Sequence, residues 1–190
     1  MSKFVSLPVS RYTAPMHEAT IIYPHQLFER SPAIADDRPV YLVEEPLLLT
    51  QNPIHRQKLM LHKLSLDAYE RFLRNQGRTV HRLSIGEHPT TDAVFERLRR
   101  DGVERMHIVD TTDYYLERAI TESGLERIWY ESPLFILEKH DAIEHYQTSK
   151  RFMASFYKQL RQDHDILMED DGAPVGGQWS FDEDKREKIP

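Results

Sequence analysis

The chain has 190 residues, 39% of them hydrophobic, which suits one full core with an appended segment rather than two domains. A formal net charge of −6 gives no general attraction to a phosphate backbone, so a free-standing DNA binder is not expected and DNA contact would be only indirect. The absence of cysteine excludes disulfides, thiolate catalysis, Cys-ligated zinc and Cys-ligated iron–sulfur clusters.

No run approaches the roughly 18 apolar residues of a membrane span, and the N-terminus lacks a charged-then-apolar signal pattern. A cytoplasmic protein without membrane contact is the expectation. Residues 1–17, with Pro8 and Pro15, sustain no period and read as a loose arm. A strand follows over Ala19 to Tyr23 and is stopped by Pro24. Ser31-Pro32 and Asp36 to Pro39 mark a loop, and Val40 to Val43 is a second strand closed by Glu44-Glu45-Pro46. Both strands read as buried on both faces.

Asn52-Pro53 is a good helix start, and apolar residues recur at helical period from Leu59 to Leu73 before Gly77 ends the helix, predicting a helix from about Asn52 to Gln76. His55, Lys58 and His62 share one face at its N-terminal end, the positive pole of the helix dipole. Arg78 to Leu83 reads as strand three, Thr91 to Arg100 as a helix, and Arg105 to Val109 as strand four. A helix opened by Asp110 to Asp113 and closed by Gly124 leads to strand five at Arg127 to Tyr130. Alternating strands and helices predict an α/β fold: a five-stranded parallel Rossmann-like sheet, order 3-2-1-4-5, with helices on both faces and a C-terminal helical and extended segment. The boundaries expected are an arm over 1–17, the α/β domain over 18–140, and helical linker plus tail over 141–190. Within the tail, Trp179 and Phe181 are expected to dock on something, and the α/β core is the favoured surface.

Phosphate-binding fingerprints are missing, since the turn after strand one is Pro24-His25-Gln26-Leu27, with neither G-x-G-x-x-G nor a P-loop. In a parallel sheet whose strand order reverses, the ligand crevice lies outside the carboxyl ends of the strands. His25, Gln26 and Leu27 follow strand one, Glu44 and Gln51 follow strand two, Asp110 and Asp113 follow strand four, and His55, Lys58 and His62 sit on the adjoining helix start. Such a set suits a flat heteroaromatic ligand with a polyol arm, Gln26 and Glu44 bonding ring or hydroxyl groups and the helix start holding a polar or anionic end. Plainer roles stand beside this: Gln26 capping its turn, Glu44 paired with Lys58 or Arg56, Asp110 and Asp113 as helix caps, and Leu47-Leu48-Leu49 as a packing run. No catalytic residue and no metal site is assigned, because no nucleophile accompanies these groups.

The order of Tyr23-Pro24-His25-Gln26-Leu27, Val43-Glu44 and His55-Arg56-Gln57-Lys58-Leu59 resembles the opening of the photolyase-related proteins, the bacterial iron–sulfur branch of the cryptochrome/photolyase superfamily. Met153, Phe156-Tyr157, Arg161, Leu167-Met168, Pro174 to Asp182 and Arg186 resemble that family's segment joining its two domains. The resemblance implies a photolyase N-terminal, antenna-like α/β domain that holds a lumazine chromophore (6,7-dimethyl-8-ribityllumazine) or a flavin-like one. It implies a separate helical domain for FAD and the iron–sulfur cluster, neither of which is expected in this chain, so photolyase (lyase) activity in DNA repair is not expected of it alone. The alternative is a non-pigmented scaffold that docks a separate helical catalytic subunit or DNA. The chain departs from the family pattern at Pro24 and His25, which replace a Gly-Asp pair, and at Leu48, Gln51 and His62.

Overall fold

The structure, a computed structural model, describes residues 17–148 and 152–180; the expected arm up to residue 16 and Phe181 lie outside the described residues. The chain divides into two compact units, Met1–Phe135 and Ile136–Pro190. The first holds a five-stranded sheet of order 3-2-1-4-5. Its strands are β1 (Glu18–Ile22), β2 (Val40–Val43), β3 (Val80–Leu83), β4 (Arg105–Val109) and β5 (Glu126–Tyr130). Every pairing is parallel, with Thr20 opposite Val40 on one side and opposite His107 on the other. β1 and β2 are buried almost throughout, because helices cover both faces of a parallel sheet.

Two core clusters give the layers. Ile21, Tyr23, Val43, Met106 and Ile108 meet Phe95 and Leu98 of α3 (Thr91–Arg100), and Leu116 and Ile120 of α4 (Tyr114–Glu122). On the opposite face, Ile22, Val40, Leu42 and Val80 meet Leu66, Tyr69 and Leu73 of α2 (Arg56–Asn75). Leu61 and Leu64 of the same helix are exposed, since one helix face is all the sheet covers.

The helix start differs from the sequence expectation. Asn52-Pro53 stands outside α2, which begins at Arg56 with His55 as N-cap, the His55 Nδ1 accepting from the Gln57 N–H at 3.2 Å. The pairing of a cap with proline at N1 occurs earlier, where Glu45 caps the one-turn α1 (Pro46–Leu49). Leu47-Leu48-Leu49 is thus helical, and it lies against the first core cluster.

The second unit contains α5 (Lys139–Thr148) and α6 (Met153–Asp163). The segment after α6 is folded where an extended tail is expected. Arg161 Nε donates to the Ile166 carbonyl at 3.0 Å and its Nη2 donates to the Leu167 carbonyl, while Met168 and Pro174 form an antiparallel bridge. The Trp179 ring lies 5.5 Å from Lys158 Nζ and 5.4 Å from the Arg161 guanidinium carbon, so this aromatic finds cationic partners within its own unit.

Candidate functional site

In the order 3-2-1-4-5 the chain reverses direction of travel between β1 and β4, and the loops leaving these strands part to form a crevice. A cleft of about 350 Å³ opens there. Pro24 and His25 enter it from the end of β1, Leu48 and Leu49 from α1, and Thr111, Thr112 and Asp113 from the end of β4. Lys58 and His62, one turn apart on α2, and Leu134 complete the wall. His25, Lys58, His62 and Asp113, four of the residues expected from sequence, therefore share one cleft.

The other expected residues have separate places. Gln26 is buried beneath the turn, where its Nε2 donates to the Val109 carbonyl at 2.7 Å and its Oε1 accepts from the Tyr23 N–H at 3.3 Å; it joins the end of β1 to the end of β4. Glu44 bonds the β3 side: Oε1 accepts from Arg82 Nη2 at 2.7 Å and Oε2 from the Ile85 N–H at 3.2 Å, with Lys63 Nζ at 3.8 Å. Burial raises its carboxyl, but Arg82, the Ile85 amide and Lys63 outweigh this and hold it below the usual value. Leu27 packs on the α2-side core, Gln51 is exposed, and the exposed His55 is the α2 cap. Asp110 Oδ1 accepts from the Thr112 N–H at 3.1 Å, and Asp113 Oδ1 accepts from the Leu116 N–H at 2.9 Å as the N-cap of α4.

His25 is the chemically open group of the cleft. Both ring nitrogens are buried and neither makes a well-aligned hydrogen bond, although the Thr111 backbone lies close enough to act on the ring. Burial lowers its basicity and His62 adds to this, against the opposing Thr111 backbone and Asp113 carboxylate, so the ring is held neutral with one donor and one acceptor. Its ring stacks at 6.4 Å, tilted by 12°, on that of Tyr23, which is fully buried with an unpartnered hydroxyl.

Sequence reasoning chose Glu44 and passed over Glu45. Glu45 is wholly buried; its Oε1 accepts from the Leu47 N–H at 3.1 Å and from the Thr91 hydroxyl, whereas Oε2 has no partner. Burial pushes this carboxyl above its ordinary value, opposed by the Thr91 and Leu47 bonds and reinforced by Asp113. The signal was present in the sequence as an acidic residue directly before Pro46, a cap followed by proline at N1. Thr112 carried no such signal. It holds φ of 51°, a left-handed conformation unfavourable for a β-branched residue, at the cleft rim.

The model of the deoxyribodipyrimidine photo-lyase-related protein family matches residues 20–190. The chain is also 34% identical over 193 aligned positions, 92% of its own length and 96% of the relative's, to the uncharacterized protein R852 of Acanthamoeba polyphaga mimivirus. A match running from Thr20, the third residue of β1, to the end of the chain, with the parallel sheet that carries it, establishes that this chain belongs to the deoxyribodipyrimidine photo-lyase-related protein family.

Proposed function

We propose that the chain is an antenna-type binding module of the iron–sulfur cryptochrome/photolyase branch, taking a flat heteroaromatic ligand of lumazine or flavin type in the cleft between the ends of β1 and β4. The observation that carries the reading is His25, whose neutral ring brings two buried, unpartnered nitrogens to a cleft walled by Pro24, Leu48 and Leu49. The neutral imidazole can give one hydrogen bond, as donor or as acceptor, to a ring N–H or C=O of a pyrimidinedione, and apolar walls suit its faces. Lys58 and the N-terminal end of α2 favour a polyol or anionic arm. A bound chromophore supplies near-ultraviolet or blue absorption; the residues here bind, orient and desolvate it. None of the 190 residues is a cysteine, so a Cys-ligated iron–sulfur cluster would draw its ligands from outside them.

Titration of the purified protein with 6,7-dimethyl-8-ribityllumazine and with riboflavin, followed by absorbance and ligand fluorescence, tests this. Saturable quenching is expected, weakened about tenfold by His25→Leu, the loss of roughly 1.4 kcal/mol of hydrogen bonding. Absence of quenching with both ligands overturns the pigment reading and favours the scaffold.

A further inference from the structure

We propose that β5 is a homodimerisation edge, joining two copies of the chain across a two-fold axis at Ile128 into one continuous sheet. Two observations on this strand lead there. The first is exposure: Ile128 is 38% and Trp129 37% exposed on opposite faces, unlike β3 at the other edge, whose end residues Val80 and Leu83 are buried. Exposed apolar edge strands are templates for pairing, and natural sheets cover or charge them. The second is the phase of the backbone. The Glu126 N–H donates to the Glu104 carbonyl at 3.0 Å and the Tyr130 carbonyl accepts from the Asp110 N–H at 2.8 Å, so residues 126, 128 and 130 turn their peptide groups toward β4. Arg127 and Trp129 must therefore turn theirs outward.

That phase selects one occupant. An antiparallel copy centred on Ile128 sets Arg127 directly opposite Trp129 of the copy, and Trp129 opposite its Arg127, each pair exchanging two backbone hydrogen bonds. Ile128 meets its own copy in the close, non-hydrogen-bonded pair. Arg127 and Trp129 project from the same face, which brings each guanidinium beside the indole of the other copy, a cation–π match. Among the described residues Arg127 makes no ion pair that would compete. The strand is self-complementary in hydrogen bonding, cation–π and apolar contact, as an isologous interface requires.

Sedimentation equilibrium of the full chain over a concentration series tests the proposal. The expected mass rises to twice the 22.5 kDa of one chain. Trp129→Lys sets like charges face to face and should leave a monomer, whereas Trp129→Glu faces Arg127 with an acid and should retain the dimer. Hydrogen exchange on the unmodified protein reads the same edge: the Arg127 and Trp129 amides should be protected at high concentration and lose protection on dilution. A monomer at all concentrations overturns the proposal. So does a dimer indifferent to both substitutions, or one whose Arg127 and Trp129 amides exchange equally fast at every concentration.

Discussion

Glu45 shows how a single buried carboxylate trades stability for position. Its raised pKa means that, between the unfolded value and the folded one, the folded state holds a proton that the unfolded state has released, so its contribution to stability falls as pH rises through that window. Glu45→Gln keeps an acceptor for Leu47 and Thr91 while removing the charge. The expected outcome is a higher melting temperature at pH 7 to 8, on the order of 1 kcal/mol, shrinking toward acid pH; thermal unfolding monitored across pH checks it. His25 has the opposite sign. Its folded pKa is depressed, so the unfolded chain takes up protons first and stability falls as pH drops below the ordinary imidazole value of about 6.5. His25→Leu should flatten that limb of the same pH profile.

At the level of elements, Gln26 ties the ends of two parallel strands whose following segments part. Its amide spans from the Tyr23 N–H to the Val109 carbonyl, and Gln26→Leu strands both buried backbone groups. A loss of about 1–3 kcal/mol in denaturant unfolding is expected and, on the proposed function, weaker ligand affinity because the two cleft walls part. Strand order and helix sequence were legible because apolar runs, caps and turn glycines agreed: Thr90 and Thr91 at α3 and Asp113 at α4 lie where the residue types indicated. The start of α2 was misread because Asn52-Pro53 and Glu45-Pro46 offer the same local signal. Only the burial of Pro46 and Leu49 beside the sheet distinguishes them. The cleft was partly legible. Topology alone brings His25, Lys58, His62 and Asp113 together, but the direction in which Glu44 points depends on Arg82 across the strand pair, a tertiary partner that spacing along the chain does not reveal.

For the molecule as a whole, charge decides what it meets. The Glu18, Arg105, Glu126 and His107 network on the sheet neutralises itself: Arg105 reaches Glu18 at 2.7 Å and Glu126 at 2.9 Å, while His107 bridges Glu18 and Tyr130. Together with a net charge of −6, this leaves little field to hold a duplex. Fluorescence anisotropy with mixed-sequence duplex DNA at physiological salt should show binding no tighter than about 10⁻⁴ M, the weak end of non-specific affinity. Affinity well beyond that would require a basic surface on a partner chain.

The placement of β1 at the centre of the sheet also governs the order in which the molecule can be assembled. Thr20 pairs early with Val40, but its other neighbour, His107, is synthesised far later, so a nascent chain completes β1, β2 and β3 while one side of its central strand is still bare. The Val109 carbonyl that receives Gln26 is the last part of this closure to emerge. The cleft walls therefore come together only once β4 has joined β1, so any ligand the cleft takes would arrive too late to guide the pairing of β1, β2 and β3.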